Sequence, residues 1–170
     1  MNVFIDTSSL FKLYHRESGT EELMSLFNDV GIEVIYLAEI TKIEFSSAVW
    51  KKCRKNEIDE RSASQLIEKF DKDSVKFNFV SEGQLLRQNA KGLIGKHWRK
   101  GLRTLDSIQL ASALKVKNQI ELFLTSDNLL SEIALIEGLN EINICSLMKG
   151  VYIIKLMGTD WTIQRKLIKN

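Results

Sequence analysis

The sequence predicts an α/β fold, a three-layer α/β/α sandwich on a central, mostly parallel sheet, and three observations carry that expectation. Val3-Phe4-Ile5 is a short apolar run that stops at Asp6, with a helical pattern directly behind it. Leu122-Phe123-Leu124-Thr125-Ser126 does the same and stops at Asp127. Runs that stay apolar at successive positions suit strands buried on both faces of a parallel sheet. The third observation is order, since helix and strand patterns alternate along the chain.

Taken in turn, the first apolar run gives a strand over about 2–6, and apolar positions at helical spacing give helical segments over about 8–27. A strand near 33–37 leads into a long helix over about 38–55, and a further helix covers about 61–72. Val75-Lys76-Phe77-Asn78-Phe79-Val80 alternates with period two and reads as a short strand. A helix follows over about 82–94, its end weakened by Gly92 and Gly95, and then a loop from Lys96 to Leu102. Helix resumes over about 104–118, the second apolar run gives a strand over about 121–126, and a helix over about 128–137 is closed by Gly138. A strand over about 142–147 completes the pattern. Beyond Met148, Val151-Tyr152-Ile153-Ile154 reads as another strand and Asp160 to Asn170 as a short basic helix or tail. Residues 1–147 are therefore expected to form one domain, with 148–170 an extension packed on it or an interaction arm. No repeat, low-complexity tract or linker interrupts the chain, and the absence of proline removes one boundary signal.

At 170 residues the chain is long enough for one core that buries roughly two-thirds of the unfolded surface without disulfides or structural metals. A 44% hydrophobic and 27% charged composition is that of a soluble globular protein, and no apolar run approaches the ~18 residues of a membrane span. The N-terminus enters a strand with no secretion signal, so a cytoplasmic location is expected. Cys53 and Cys145 lack metal-ligand spacing and read as reduced, space-filling residues. Net charge is only +2, yet no acid lies between Gly83 and Leu105, while Arg87, Lys91, Lys96, Arg99, Lys100 and Arg103 are basic. Such a stretch is either a solvated surface or a phosphate-attracting patch, and it runs directly into Asp106.

Four carboxylates sit against the local pattern. Asp106 lies in Thr104 to Leu114, a segment that is apolar or small nearly all round, where an ionised carboxylate costs several kcal/mol unless it is paired, hydrogen-bonded or metal-bound. Its other reading is a favourable first-turn acid, and Gln109 at i+3 shares its face. Glu44 has Ile40 and Ala48 one turn to either side, and Lys42, Lys51, Lys52, Arg54 and Lys55 mark the charged side of the same helix. That pattern places Glu44 toward the sheet, with a surface ion pair to Lys51 or Lys52 as the other reading. Asp6 and Asp127 stand at strand ends, where open α/β folds place ligands. Either could instead cap the helix that follows, unless Ser8 or Asn128 does so. Four clustered carboxylates repel one another, and a divalent cation offsets the repulsion. All-oxygen ligands favour Mg²⁺ or Mn²⁺ over zinc, and such an ion binds phosphate oxygens and activates water.

Over about residues 1–147 the chain resembles a PIN-domain ribonuclease of the VapC toxin type. The resemblance rests on Phe4-Ile5-Asp6-Thr7-Ser8, Glu44 in the helix after the second strand, Leu105-Asp106-Ser107-Ile108-Gln109-Leu110-Ala111, and Leu124-Thr125-Ser126-Asp127. It implies an α/β/α fold, Mg²⁺- or Mn²⁺-dependent cleavage of RNA, a homodimer and inhibition by an antitoxin protein. Carried over, Asp6, Glu44, Asp106 and Asp127 form the acidic catalytic pocket. Asp6 and Asp106 would touch the metal, Glu44 and Asp127 would complete the shell or bind through water, and Ser9 and Thr125 would support the pocket by hydrogen bonding. Residues after Met148 depart from the family pattern.

The implied reaction hydrolyses an RNA phosphodiester and leaves 5′-phosphate and 3′-hydroxyl ends, with the six basic residues between Arg87 and Arg103 as the RNA-binding rim. Trp98 within that run either stacks a base or packs. His15 and His97 are far apart in sequence, which gives little support to a histidine-pair ribonuclease, and both read as surface residues. Ser8 stands where a phosphoaspartyl hydrolase needs its second aspartate, Leu10 breaks the Asp-x-Ser-x-Ser pattern of metal-binding adhesion domains, and no phosphate-binding glycine loop is present. A non-catalytic module of the same fold that binds RNA or protein is the alternative from another class. A DNA nuclease is a third, disfavoured because no long insertion is available to thread a strand.

Overall fold

The structure is a computed structural model that describes residues 1–143, 150–157 and 162–169. The first apolar run forms strand β1 (Asn2–Ile5). Its residues divide between two cores, Val3 and Ile5 in one and Phe4 in the other, as a strand buried on both faces requires. β1 passes into a single turn of helix, α1 (Thr7–Leu10), and a 3-10 turn at Phe11–Leu13. α2 (Thr20–Val30) then begins after Gly19, whose φ of 90° breaks the stretch read as helical.

β2 (Val34–Ala38) and the long helix α3 (Thr41–Arg54) follow, then α4 (Glu60–Asp73). The predicted strand over 75–80 is shorter than its alternation suggested. Ser74–Lys76 form a 3-10 turn, and only Asn78–Val80 make β3. Val75 is 87% exposed, so no core holds that end extended. α5 (Gln84–Lys96) runs through Gly92 and Gly95, because the burial of Leu86, Ala90 and Leu93 outweighs the roughly 1 kcal/mol that each glycine costs. A 3-10 turn at Trp98–Lys100 leads to α6 (Thr104–Lys115), β4 (Leu122–Thr125), α7 (Asn128–Ile136) and β5 (Glu141–Asn143). Residues 144–147 of the last expected strand lie outside the described residues.

The five strands form one parallel sheet in the order β3-β2-β1-β4-β5, which puts β1 at the centre. One core joins Val3, Ile5, Leu122 and Leu124 to α2, α3 and α4 through Leu23, Leu26, Phe45, Val49, Ala63 and Phe70. The other joins Phe4 and Phe123, whose rings stack at 5.7 Å, to α5, α6 and α7. This is the expected three-layer sandwich. Its layers bring the ends of β1 and β4, the start of α3 and the start of α6 to the carboxyl edge of the sheet.

Two expectations are corrected. The segment read as a short basic helix or tail contains a strand, β7 (Thr162–Lys169), paired antiparallel with β6 (Gly150–Met157) in a separate two-stranded sheet. Thr162, Ile163 and Ile168 are β-branched and favour extended backbone, and the pairing from Gly150↔Lys169 to Met157↔Thr162 answers both strands. β7 lies against α2. His97 is buried, not a surface residue: it caps the C-terminal end of α5, where its Nε2 shares a hydrogen bond with Glu137. Among the described residues, Cys53 is a free, half-buried thiol, and no helix is long and apolar enough to cross a membrane.

Candidate active site

Two groups of residues build the site. The first is the strand corner. The Asp6 N–H still bonds the Leu124 carbonyl at 3.0 Å, so the chain leaves the sheet only at this residue and turns directly into α1. The Asp6 carboxylate accepts from the Ser9 N–H at 3.0 Å, from the Ser8 hydroxyl at 2.9 Å and from the Thr125 hydroxyl at 3.0 Å. Thr125 Oγ1 in turn accepts the Asp127 N–H at 3.0 Å, and the Asp127 carboxylate accepts from the Leu130 N–H at 2.8 Å. Asp6 and Asp127 are thus themselves the N-caps of α1 and α7, and Thr125 joins them. Ser9 and Ser126 share a hydroxyl–hydroxyl bond at 2.9 Å that holds the two loops together.

The second group is the helix corner. Glu44, in the first turn of α3, accepts at Oε2 from the Thr7 hydroxyl at 2.6 Å and from the Gln109 amide at 2.6 Å. That amide also reaches Thr7 Oγ1 at 2.9 Å and Thr41 Oγ1 at 3.0 Å. Gln109 is buried and its Oε1 has no hydrogen-bond partner among the described residues. Asp106 sits one turn before it in α6, half-buried, and accepts no hydrogen bond among the described residues.

Asp6, Glu44, Asp106 and Asp127 all line one cleft of about 700 Å³. Burial pushes the Asp6 carboxyl up from its ordinary 3.8 to about 6, against the lowering effect of its hydrogen bonds, and Glu44 adds to the rise. Asp106 is also raised, by burial first and then by Asp127 and Glu44, while Arg103 opposes the shift. These are carboxylates whose charged forms are disfavoured where they stand. Their all-oxygen donor chemistry fits a hard divalent cation. Among the described residues no three acidic, histidine or cysteine side chains are already gathered about one point. The fit is therefore to an ion held by one or two carboxylates with water completing its shell.

Glu44 does not lie opposite the charged side of α3. Positions 44, 48, 51 and 55 follow helical spacing, and Lys51 and Lys55 line the same cleft as Glu44. Of the basic run between Arg87 and Arg103, only Arg103 lines the cleft. Lys96 pairs with Glu137 at 2.8 Å and Lys100 pairs with Glu132, while Arg99 lies over the Trp98 ring at 5.1 Å. Trp98 is 66% exposed, so it is not a packing residue. Sequence reasoning did not single out Thr7, Thr41 or Ser126, and it gave Ser8 only as a possible helix cap, a role that Asp6 itself takes. The signals were the unbroken hydroxyl series Thr7-Ser8-Ser9 behind Asp6 and Thr41 three residues before Glu44.

A family model described as PIN domain matches residues 3–136. No curated protein matches the chain. Among solved structures, VapC20 of Mycobacterium tuberculosis, described as a sarcin-ricin loop cleaving toxin, aligns with a TM-score of 0.63 at 16% identity, over 82% of this chain and 98% of that one. FitAcB of Neisseria gonorrhoeae aligns with a TM-score of 0.60 at 15% identity, over 85% and 99%. VapBC2 of Rickettsia felis, bound to a DNA fragment from its promoter, aligns with a TM-score of 0.58 at 14% identity, over 84% and 98%. At such identities the likeness speaks for the fold alone.

Proposed function

The chain belongs to the PIN-domain family, whose model matches residues 3–136, and from that premise we propose that it is a metal-dependent endoribonuclease of the VapC type, the toxin of a toxin–antitoxin pair. The observation that carries this reading is the convergence of Asp6, Glu44, Asp106 and Asp127 on one cleft at the carboxyl edge of the sheet. The names of the structural neighbours support it, since one is described as a sarcin-ricin loop cleaving toxin and others are VapBC or FitAB complexes. An antitoxin partner, a homodimer, a cytoplasmic location and a nuclease domain over 1–147 with an extension over 148–170 belong to the same proposal.

In this mechanism Asp6 and Asp106 would hold Mg²⁺ or Mn²⁺ directly, with Glu44 and Asp127 completing the shell or acting through water. When bound, the ion neutralises phosphate charge and makes coordinated water acidic enough to attack. The chain's own residues set the stage. Ser8, the Ser9 N–H and Thr125 fix both oxygens of Asp6, so that carboxylate cannot rotate away. Thr7 and Gln109 grip a single oxygen of Glu44, Oε2, and among the described residues Oε1 accepts no hydrogen bond. Arg103 opposes the rise that burial, Asp127 and Glu44 impose on the Asp106 carboxyl. Hydrolysis adds water oxygen to phosphorus and breaks the bond to the 3′-oxygen, which takes up the proton, leaving 5′-phosphate and 3′-hydroxyl ends.

The test incubates purified protein, free of any bound inhibitor, with structured cellular RNAs in Mg²⁺, Mn²⁺ or EDTA, beside Asp6→Asn and Asp106→Asn. Cleavage that requires metal and both aspartates is expected. RNA or protein binding with no cleavage under any metal condition would replace this reading with the non-catalytic module.

A further inference from the structure

Resting on the RNA-cleaving reading, we propose that the substrate strand leaves the acidic pocket along the C-terminal half of α3, with Lys51 and Lys55 as its phosphate contacts, and not by way of Lys96 and Lys100. Five basic side chains line the cleft, and they differ in what already holds them. Lys12 is buried and donates to Glu17 at 2.8 Å and to the Ser18 carbonyl at 2.7 Å. Lys52 pairs with Glu57 at 2.7 Å and with Glu17 at 3.4 Å. These two are neutralised by the protein and brace the cleft wall. Lys51, Lys55 and Arg103 form no ion pair among the described residues, and all three are exposed.

The placement of the two lysines on α3 gives them a direction. Glu44, Ala48, Lys51 and Lys55 form one stripe, and at 1.5 Å per residue Lys51 lies about 10 Å and Lys55 about 16 Å along the axis from Glu44. A polyanion whose reacting phosphate sits by the carboxylates and Arg103 would meet Lys51 and then Lys55 as it leaves them, which is an arrangement that guides a strand out of the cleft. Lys96 and Lys100, by contrast, are already satisfied by Glu137 and Glu132. Lysines near the end of a helix also complement its dipole. That role acts on stability and leaves the salt dependence of binding untouched.

The experiment measures binding of a fluorescein-labelled, mixed-sequence 20-nucleotide single-stranded RNA by anisotropy, with Ca²⁺ replacing Mg²⁺ to slow cleavage, over a KCl series. Each phosphate contact contributes a slope of about 0.7 on single strands, so Lys51→Gln/Lys55→Gln should make the slope about 1.4 shallower. Lys96→Gln/Lys100→Gln should leave it unchanged. A shallower slope in the second variant alone, or a loss of thermal stability in the first with its slope intact, overturns the proposal while the nuclease reading stands. RNA binding that survives Lys51→Gln/Lys55→Gln while binding of an oligoglutamate peptide is lost assigns this surface to an acidic protein partner and also overturns it. Wild-type protein that binds no RNA removes the nuclease reading itself, and this inference with it.

Discussion

The strand corner and the helix corner face the same cleft but are built on different principles. At the strand corner, both oxygens of Asp6 are hydrogen-bonded, its side chain is enclosed, and Thr125 ties it to the backbone of Asp127. At the helix corner, Glu44 is held by one oxygen only, and Asp106, half-buried, accepts no hydrogen bond among the described residues. Strand ends and helix caps supply backbone donors that fix a side chain, whereas a residue on the face of a helix finds only other side chains. The difference separates a rigid anchor from groups left free to adjust to what enters the cleft.

The sharpest test of this contrast is to remove charge from each corner. Asp106→Asn should reduce RNA cleavage at least 100-fold, roughly 3 kcal/mol of transition-state stabilisation, with little change in urea stability. Asp6→Asn should abolish cleavage too, yet stabilise the protein in EDTA at pH 7.5 by up to about 3 kcal/mol. The sign follows from its carboxyl, raised from 3.8 to about 6. The folded state keeps a proton that the unfolded chain has released, so this contribution is complete below pH 3.8 and lost as pH rises to about 6. The gain in the variant should fall to near zero by about pH 3, and urea titrations at the two pH values check it.

Smaller effects separate the supports. Thr125→Val removes a donor to Asp6 and the acceptor of the Asp127 N–H, and should cost about 2 kcal/mol in urea unfolding. Gln109→Met removes one of the two hydrogen bonds on Glu44. It should lower cleavage by about 5–10-fold, with a stability change near 1 kcal/mol, because Thr7 still holds the same oxygen. Equal stability losses in these two variants would erase the distinction between the corners.

The strand corner was legible in sequence and the helix corner only in part. Asp6 and Asp127 each follow an apolar run with no room for a second interpretation of the strand, so their place at the sheet edge came from local pattern alone. Glu44 was assigned to its side of α3 by opposition to five charged neighbours, and that reasoning failed because a cleft is a face on which acids and bases both belong. Lys51 and Lys55 were hidden for the same reason, although their spacing from Glu44 is plain along the helix. Lys96 and Lys100 looked available because Glu132 and Glu137, which hold them, come more than 30 residues later in the chain. The β7 segment mixes Lys, Arg and Gln with β-branched residues. Its strand conformation depends on pairing with β6, which no short window contains.

The order of the sheet has a consequence for how the protein comes into being. β1 precedes the other four strands of its sheet in the chain and is the central one, yet one of the two hydroxyls that hold Asp6 belongs to Thr125, 119 residues later. At cellular elongation rates of 5–20 residues per second, that separation is roughly 6–24 s of translation. Until β4 has emerged from the ribosome, Asp6 has no wall on one side and β1 has an open edge. A nascent chain therefore carries Asp6 long before it has a pocket, and anything that recognises the finished cleft has nothing to grip until β4 has been made.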